Sequence, residues 1–195
     1  NTSNNFRSFL LTSSGVSPLP VISSVGNPMT VTNTKGTLKI SPNGKKLGWT
    51  AMAPSGIRTY DFNNSTGQVS NESILNISAA YGCEFSPNSA LFYAQIQSAG
   101  SNGFIGQFSL CNNNLSVNIS GNFSALGAIY GAMQLALDGK IYVRNFTDPN
   151  YLSIINNPNV IGLGCNFSNA SINLFPNIIY TGLPNFMGSD FNPPP

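Results

Sequence analysis

Residues 37–50, TLKISPNGKKLGWT, set the plan of this chain. Apolar and polar residues alternate on either side of a Ser-Pro-Asn-Gly turn, the pattern of two antiparallel strands joined in a hairpin. The plan recurs downstream: residues 82–95 read GCEFSPNSALFYAQ and residues 132–145 read AMQLALDGKIYVRN. Pro42 and Pro87 stand 45 residues apart, and Leu137, which takes the proline's place in the third copy, follows 50 residues later. A repeat of that length built from short alternating strands is the span of a four-stranded propeller blade.

Around the hairpins the same alternation fills out each unit. The first gains strands at 57–62 and 69–75; the second reads as strands at 82–86, 90–96, 104–110 and 115–119; the third as 133–137, 140–145, 151–156 and 171–175. Blades are therefore expected over 36–75, 82–119 and 132–175. Strands at 6–12 and 19–25, separated by the turn-rich SSGVSP, would make the outer half of another blade, a partial blade over 6–25, and GLPNFM at 182–187 reads as a closing inner strand. The expected class is all-β, a β-propeller of four-stranded antiparallel blades over residues 1–191, with NPPP at 192–195 as a Pro-rich linker. Such a set leaves apolar sheet faces uncovered at both ends. The chain is thus expected to be half of a larger propeller, completed by an upstream segment or another chain, with closure into a small ring as the alternative.

Composition narrows the function. With 195 residues and 41% hydrophobic content the chain can bury a sizeable core. Only 7% of its residues are charged, so the surface is expected to be polar but uncharged, made of Asn, Ser, Thr and Gln. A net charge of +2 from eight scattered Lys and Arg forms no basic stripe, and nucleic acid is not an expected partner. No apolar run approaches the roughly 18 residues of a transmembrane span. Because residue 1 is Asn with no leader-like segment behind it, the chain is expected to be an exported protein after processing, or a piece of a longer one. Three cysteines, Cys83, Cys111 and Cys165, allow at most one internal disulfide, and Cys83 follows the strand pattern as a small core residue.

The absence of histidine removes the commonest general base and every Ser-His or Cys-His nucleophile pair. No calcium-loop motif is present, and neither a metal nor a cofactor is expected. Among the acids, Asp138 heads a DGK turn and Asp61 closes a strand, both ordinary local uses. Glu84 differs, because it lies between Cys83 and Phe85 in an otherwise apolar strand and faces away from both. Lys39 and Gln134 hold the comparable places in the other two hairpins. If these strands are innermost, Lys39, Glu84 and Gln134 face the channel as a candidate ligand-binding site; the other reading is a structural Lys39 to Glu84 pair across adjacent blades. Trp49, Tyr60, Tyr130, Tyr142 and Tyr151 are candidate stacking platforms for sugars, or else blade packing. Asn-x-Ser/Thr triplets at Asn64, Asn71, Asn76, Asn118, Asn122, Asn145, Asn166 and Asn169 read either as a glycan coat or as the by-product of an Asn- and Ser-rich composition.

The segments GTLKISPNGKKLGWT, YDFNNSTGQVSN, YGCEFSPNS, GAMQLALDGKIYV, YLSIINNPNVIGLGCNF and GLPNFMGSDF, in that order, resemble the C-terminal half of the propeller of large secreted or surface proteins of Bacteroidetes. That resemblance implies export by type IX secretion, an association with gliding motility and adhesion, and neighbouring immunoglobulin-like repeats. The expected function is a noncatalytic extracellular or cell-surface module for adhesion, ligand display or protein interaction, with protein or carbohydrate partners. Two alternatives stand beside it: a structural subunit whose copies associate through unpaired strands or open blade faces, and a propeller enzyme, a lyase or glycosidase with acids at the axis.

Overall fold

A computed structural model of the chain describes residues 3–29, 35–52, 56–76, 78–97, 102–111, 114–120, 123–124, 131–145 and 147–184. Three antiparallel sheets follow one another along the chain. The first joins β5 (Gly36–Ile40), β6 (Lys46–Ala51), β7 (Gly56–Asn63) and β8 (Gln68–Asn76) in sequence order. The second joins β9 (Ala80–Phe85), β10 (Leu91–Gln97), β11 (Asn102–Ser109) and β12 (Asn114–Asn118), with the short β13 (Phe123–Ser124) added to β11. The third joins β14 (Met133–Leu135), β15 (Ile141–Arg144), β16 (Tyr151–Ile155) and β17 (Phe167–Asn173).

The sheets stack face to face because successive side chains point to opposite sides of a strand, and on β10 of the middle sheet both sides are apolar. On β10, Phe92, Ala94 and Ile96 point to the first blade and pack with Ile57, Leu75, Cys83, Phe85 and Phe108. Leu91 and Tyr93 point the other way and join Met133, Leu135, Ile141, Val143 and Ile155 of the third blade. Each Leu, Ile, Val, Phe or Met among them contributes about 1.5–3 kcal/mol on burial, so apolar packing holds both seams. Gly48 lets the first seam close: a side chain there would run into the rings of Phe92 and Phe85. Beside it the Thr50 hydroxyl donates to the Tyr81 carbonyl across the seam.

The turns explain why the three hairpins share a sequence. The Ser41 hydroxyl accepts from Lys46 N at 2.9 Å and donates to Asn43 Oδ1 at 2.8 Å. Ser86 does the same with Leu91 N at 2.9 Å and Asn88 at 2.7 Å. In the third hairpin Ala136 has no hydroxyl, and Asp138 supplies the side-chain acceptor of the turn, taking Lys140 N at 3.1 Å beside the backbone bond from Ala136 N to the Lys140 carbonyl at 2.9 Å. Gly44, Ser89 and Gly139 occupy the same left-handed place, with φ of 67°, 59° and 76°.

The N-terminal segment departs from the expected pair of strands. β1 (Ser3–Ser8) pairs with β4 (Val21–Met29), but the strand expected over 6–12 breaks after Ser8. The chain then forms a separate small hairpin, β2 (Leu11–Thr12) with β3 (Gly15–Val16). The β1–β4 ribbon lies on the first blade's far face. β4 sits against β8, Ser23 Oγ accepts from Val69 N at 2.9 Å, and Phe6 meets Tyr60 edge-on at 4.8 Å between ring centres.

At the other end, the strand expected at 171–175 begins earlier, at Phe167, because Asn166 in the left-handed region (φ 55°) turns the chain out of a short 3-10 turn at Gly162–Cys165. Of the closing strand expected at 182–187, residues 182–184 are irregular, and the rest, like the linker at 192–195, lies outside the described residues. All three cysteines are free, and burial pushes the Cys83 thiol up to about 12.

Candidate functional site

The innermost strands β5, β9 and β14 lie side by side, with β9 between the other two. Each carries one polar residue in an equivalent place, and the three side chains meet. Lys39 Nζ stands 3.1 Å from Glu84 Oε2 and donates to Gln134 Oε1 at 2.8 Å. Glu84 Oε2 also accepts from Leu135 N at 3.0 Å, and its other oxygen accepts from Phe85 N at 2.9 Å. Gln134 Nε2 donates to the Leu135 carbonyl at 2.8 Å. The contacts form a closed circuit through three blades: Lys39 to Glu84, Glu84 to Leu135, and Gln134 back to Lys39.

The circuit is buried. The Lys39 and Glu84 side chains are only 9% and 5% exposed, so their charges sit where an unpaired ion is strongly penalised and where the opposite charge and two backbone donors offset that penalty. Among the readings of Glu84 open at the sequence level, the pairing with Lys39 is the contact formed.

A second polar cluster crosses the first blade's other face. Arg58 Nη1 reaches Glu72 Oε1 at 3.2 Å, and the Tyr60 hydroxyl donates to the same oxygen at 3.1 Å. The Arg58 guanidinium lies 5.5 Å from the Trp49 ring centre, in cation–π range. Burial first, and then the Glu72 charge, push the Tyr60 phenol well above its ordinary range. Sequence reasoning passed over Arg58 and Glu72. Their spacing carries no motif, and only the register Trp49–Arg58–Ile74 across β6, β7 and β8 brings the row together.

The proposed stacking platforms are mostly engaged elsewhere. Tyr60 is fully buried, which corrects its reading as an exposed aromatic. Tyr142 is half-buried and donates to Asp138 Oδ2 at 2.8 Å, Trp49 stacks under Arg58, Tyr151 is half-buried, and Tyr130 lies outside the described residues. Tyr93 and Gln107 form a buried pair beneath the 157–162 loop. The Tyr93 hydroxyl donates to Pro158 O at 2.8 Å, and Gln107 donates to Tyr93 and Val160 while accepting from Gly162 N at 2.7 Å. Among the described residues no group of three or more His, Cys, Asp or Glu could hold a metal ion, and no helix is long and apolar enough to cross a membrane.

No family model matches the sequence, and no curated protein does. Solved structures do. A putative 6-phosphogluconolactonase from Bacteroides uniformis is similar with a TM-score of 0.50 and 18% identity over 77% of this chain and 47% of its own. The C-terminal WD40 domain of Sif2 is similar with a TM-score of 0.50 and 11% identity over 78% of this chain and 39% of its own. Identities this low speak to the fold alone. The chain therefore has the all-β fold of a β-propeller built from four-stranded antiparallel blades, and it spans less than half the length of either structure.

Proposed function

We propose that this chain is a noncatalytic propeller module of a secreted or cell-surface protein, used for adhesion, ligand display or protein interaction. The observation that carries the reading is the axis. Where a propeller's inner strands converge, Lys39, Glu84 and Gln134 bond to one another and to the backbone. In this reading the trio fixes three blades in register, and partners are met by the turns and blade rims, whose Asn- and Ser-rich surface offers uncharged hydrogen-bonding groups to proteins or carbohydrates. Further blades, from an upstream segment or another chain, complete the ring. The resemblance read from the sequence adds a Bacteroidetes parent exported by the type IX route.

Two measurements test this. The purified chain is assayed for binding on glycan and surface-protein arrays, and in parallel for turnover of lactone, glycoside and uronate-polysaccharide substrates, with Glu84→Gln and Asp138→Asn as controls shown to be folded. Binding that both variants retain is the expected result; a turnover that either variant abolishes would show an enzyme instead. For localisation, intact cells are labelled with a membrane-impermeant amine reagent. Recovery of labelled protein supports surface display, and labelling seen only after lysis refutes it.

A further inference from the structure

The turn between the two innermost strands of each blade has one place that stacking leaves at the surface. Asn43 and Asn88 hold it in the first two blades and Asp138 in the third. In each, the side-chain Oδ1 accepts the amide two residues on, from Lys45 at 3.0 Å, Ala90 at 3.1 Å and Lys140 at 3.1 Å. The Ser41 and Ser86 hydroxyls give a second bond to the same oxygen in the first two turns. Because those donors fix the oxygen and a carboxamide is planar, the amide nitrogens of Asn43 and Asn88 are turned away from the turn backbone. Both residues are exposed, and neither Nδ2 has a partner among the described residues.

Asn159, from the 157–162 loop of the third blade, extends this into a row. Its Oδ1 accepts from Asn88 N at 3.0 Å, it is exposed, and its Nδ2 is equally uncommitted among the described residues. Bonds between blades set the spacing. The Ser89 hydroxyl accepts from Asn43 N at 3.1 Å and ties the first turn to the second, as Asn159 ties the second to the third blade. Ser89 holds a left-handed φ of 59° where the other two turns have glycine, and the hydroxyl that makes this tie is what a glycine would lack. The 157–162 loop is itself pinned by Tyr93 and Gln107. The row is thus held in place before any ligand arrives.

Its chemistry selects the ligand. All three amide oxygens are spent, so the row offers donors and no acceptors. Lys45 beside Asn43 is exposed and adds a positive charge, while Asp61 and Asp138 at the same end of the strands are engaged by Lys46 with Asn71 and by Tyr142. The complement is a carboxylate, which accepts without donating, repeated along an extended chain, because stacked sheets set successive donors about 10 Å apart. We infer that the Asn43, Asn88 and Asn159 row binds a uronate-bearing polysaccharide laid across the turns of the first two blades. The inference rests on the proposed display role and narrows it to one class of carbohydrate at one end of the strands.

The test is calorimetric titration of the chain with polygalacturonate, with its fully methyl-esterified form and with polyglutamate. Asn43→Asp, Asn88→Asp and Asn159→Asp each keep the Oδ1 acceptor and put an anionic oxygen in place of the outward amide; Asp138 shows that such a turn accommodates the carboxylate. Circular dichroism and melting confirm the folds, and any one folded variant suffices. Asn177→Asp is the charge-matched control, since its turn is joined through Leu174 to Asn150 at the opposite end of the strands. Polygalacturonate is expected to bind and its ester not to. Each row variant should weaken binding by about tenfold or more, the worth of a hydrogen bond to a charged group, and Asn177→Asp should change it by less than about twofold. Absence of polygalacturonate binding, row variants that bind as the unaltered chain does, or an equal loss in Asn177→Asp overturns the inference. So does binding of the ester as tight as that of the free acid, or binding of polyglutamate that the row variants weaken equally, which would assign the row to an acidic protein. The display role fails separately: cleavage of the polymer would remove it while leaving the row, and array binding that the row variants retain would keep it while removing the row.

Discussion

The first blade presents two faces made from the same strands: the second blade covers one, while the β1–β4 ribbon covers the other over Leu47, Tyr60 and Val69 but not to its edges. Toward the second blade, Thr50 and Ile57 are fully buried and Gly48 is roofed by Phe92. On the other side, one residue along each strand, Leu38, Ile40 and Ile74 are about half exposed. Alternation of residue type is equally good on both. Burial in a stack of sheets is thus a property of the neighbour, while the strand supplies only the option.

The sharpest way to break this comparison is at the axis, where the covered side is polar. Glu84→Ala leaves the Lys39 ammonium buried without its counter-charge and the Phe85 and Leu135 amides without an acceptor. The expected loss of stability is about 3–5 kcal/mol in urea unfolding. Lys39→Met on top of it should recover much of that loss; if it does not, the damage lies in the amides and not in the charge. Gly48→Val comes next, with an expected loss of about 1–3 kcal/mol from overpacking against Phe92 and Phe85. A neutral result would mean that the seam is loose.

Smaller effects belong to the rim and the open face. Lys46 and Asp61 meet at 2.6 Å with side chains 34% and 40% exposed, so Asp61→Asn should cost under about 1 kcal/mol and less at high salt. The hydrogen bond from Lys46, and then that from Asn71, hold the Asp61 carboxyl below its ordinary value. A depressed folded-state pKa contributes stability above the unfolded value of about 3.9. That contribution disappears as pH falls through the folded value, so the two proteins should converge in stability in acid. Leu38→Ser, at a half-exposed position, should shift stability by no more than about 0.5 kcal/mol. A loss near that of Gly48→Val would show that this edge of the face is covered within a single chain.

What the sequence disclosed follows from the range of the forces involved. The three hairpins were legible because turn chemistry and period-2 alternation act over a few residues, and the Ser41 and Ser86 turns are the same local device used twice. The meeting of Lys39, Glu84 and Gln134 was legible for the same reason: equivalent places on repeated strands converge where the strands do. The β2–β3 finger was not, since Phe9, Leu10 and Leu11 are each more than half exposed and their order therefore records no buried face. Nor was the start of β17, because its polar exposed run carries no alternation and the decisive event is the backbone of Asn166. The Arg58, Glu72 and Trp49 cluster depends on register across strands that shift at bulges, which no local pattern records.

The circuit at the axis also orders events in time. Its members come from residues 39, 84 and 134, one on each inner strand. During synthesis the chain emerges from its N-terminus, so Lys39 is free of the ribosome before its counter-ion has been made, and the amide that completes the circuit arrives last. A nascent chain that stops short of the third hairpin can form its first seam but cannot fasten its centre. The interval between those two points is when an emerging blade is most open to capture by a chaperone or by a neighbouring chain.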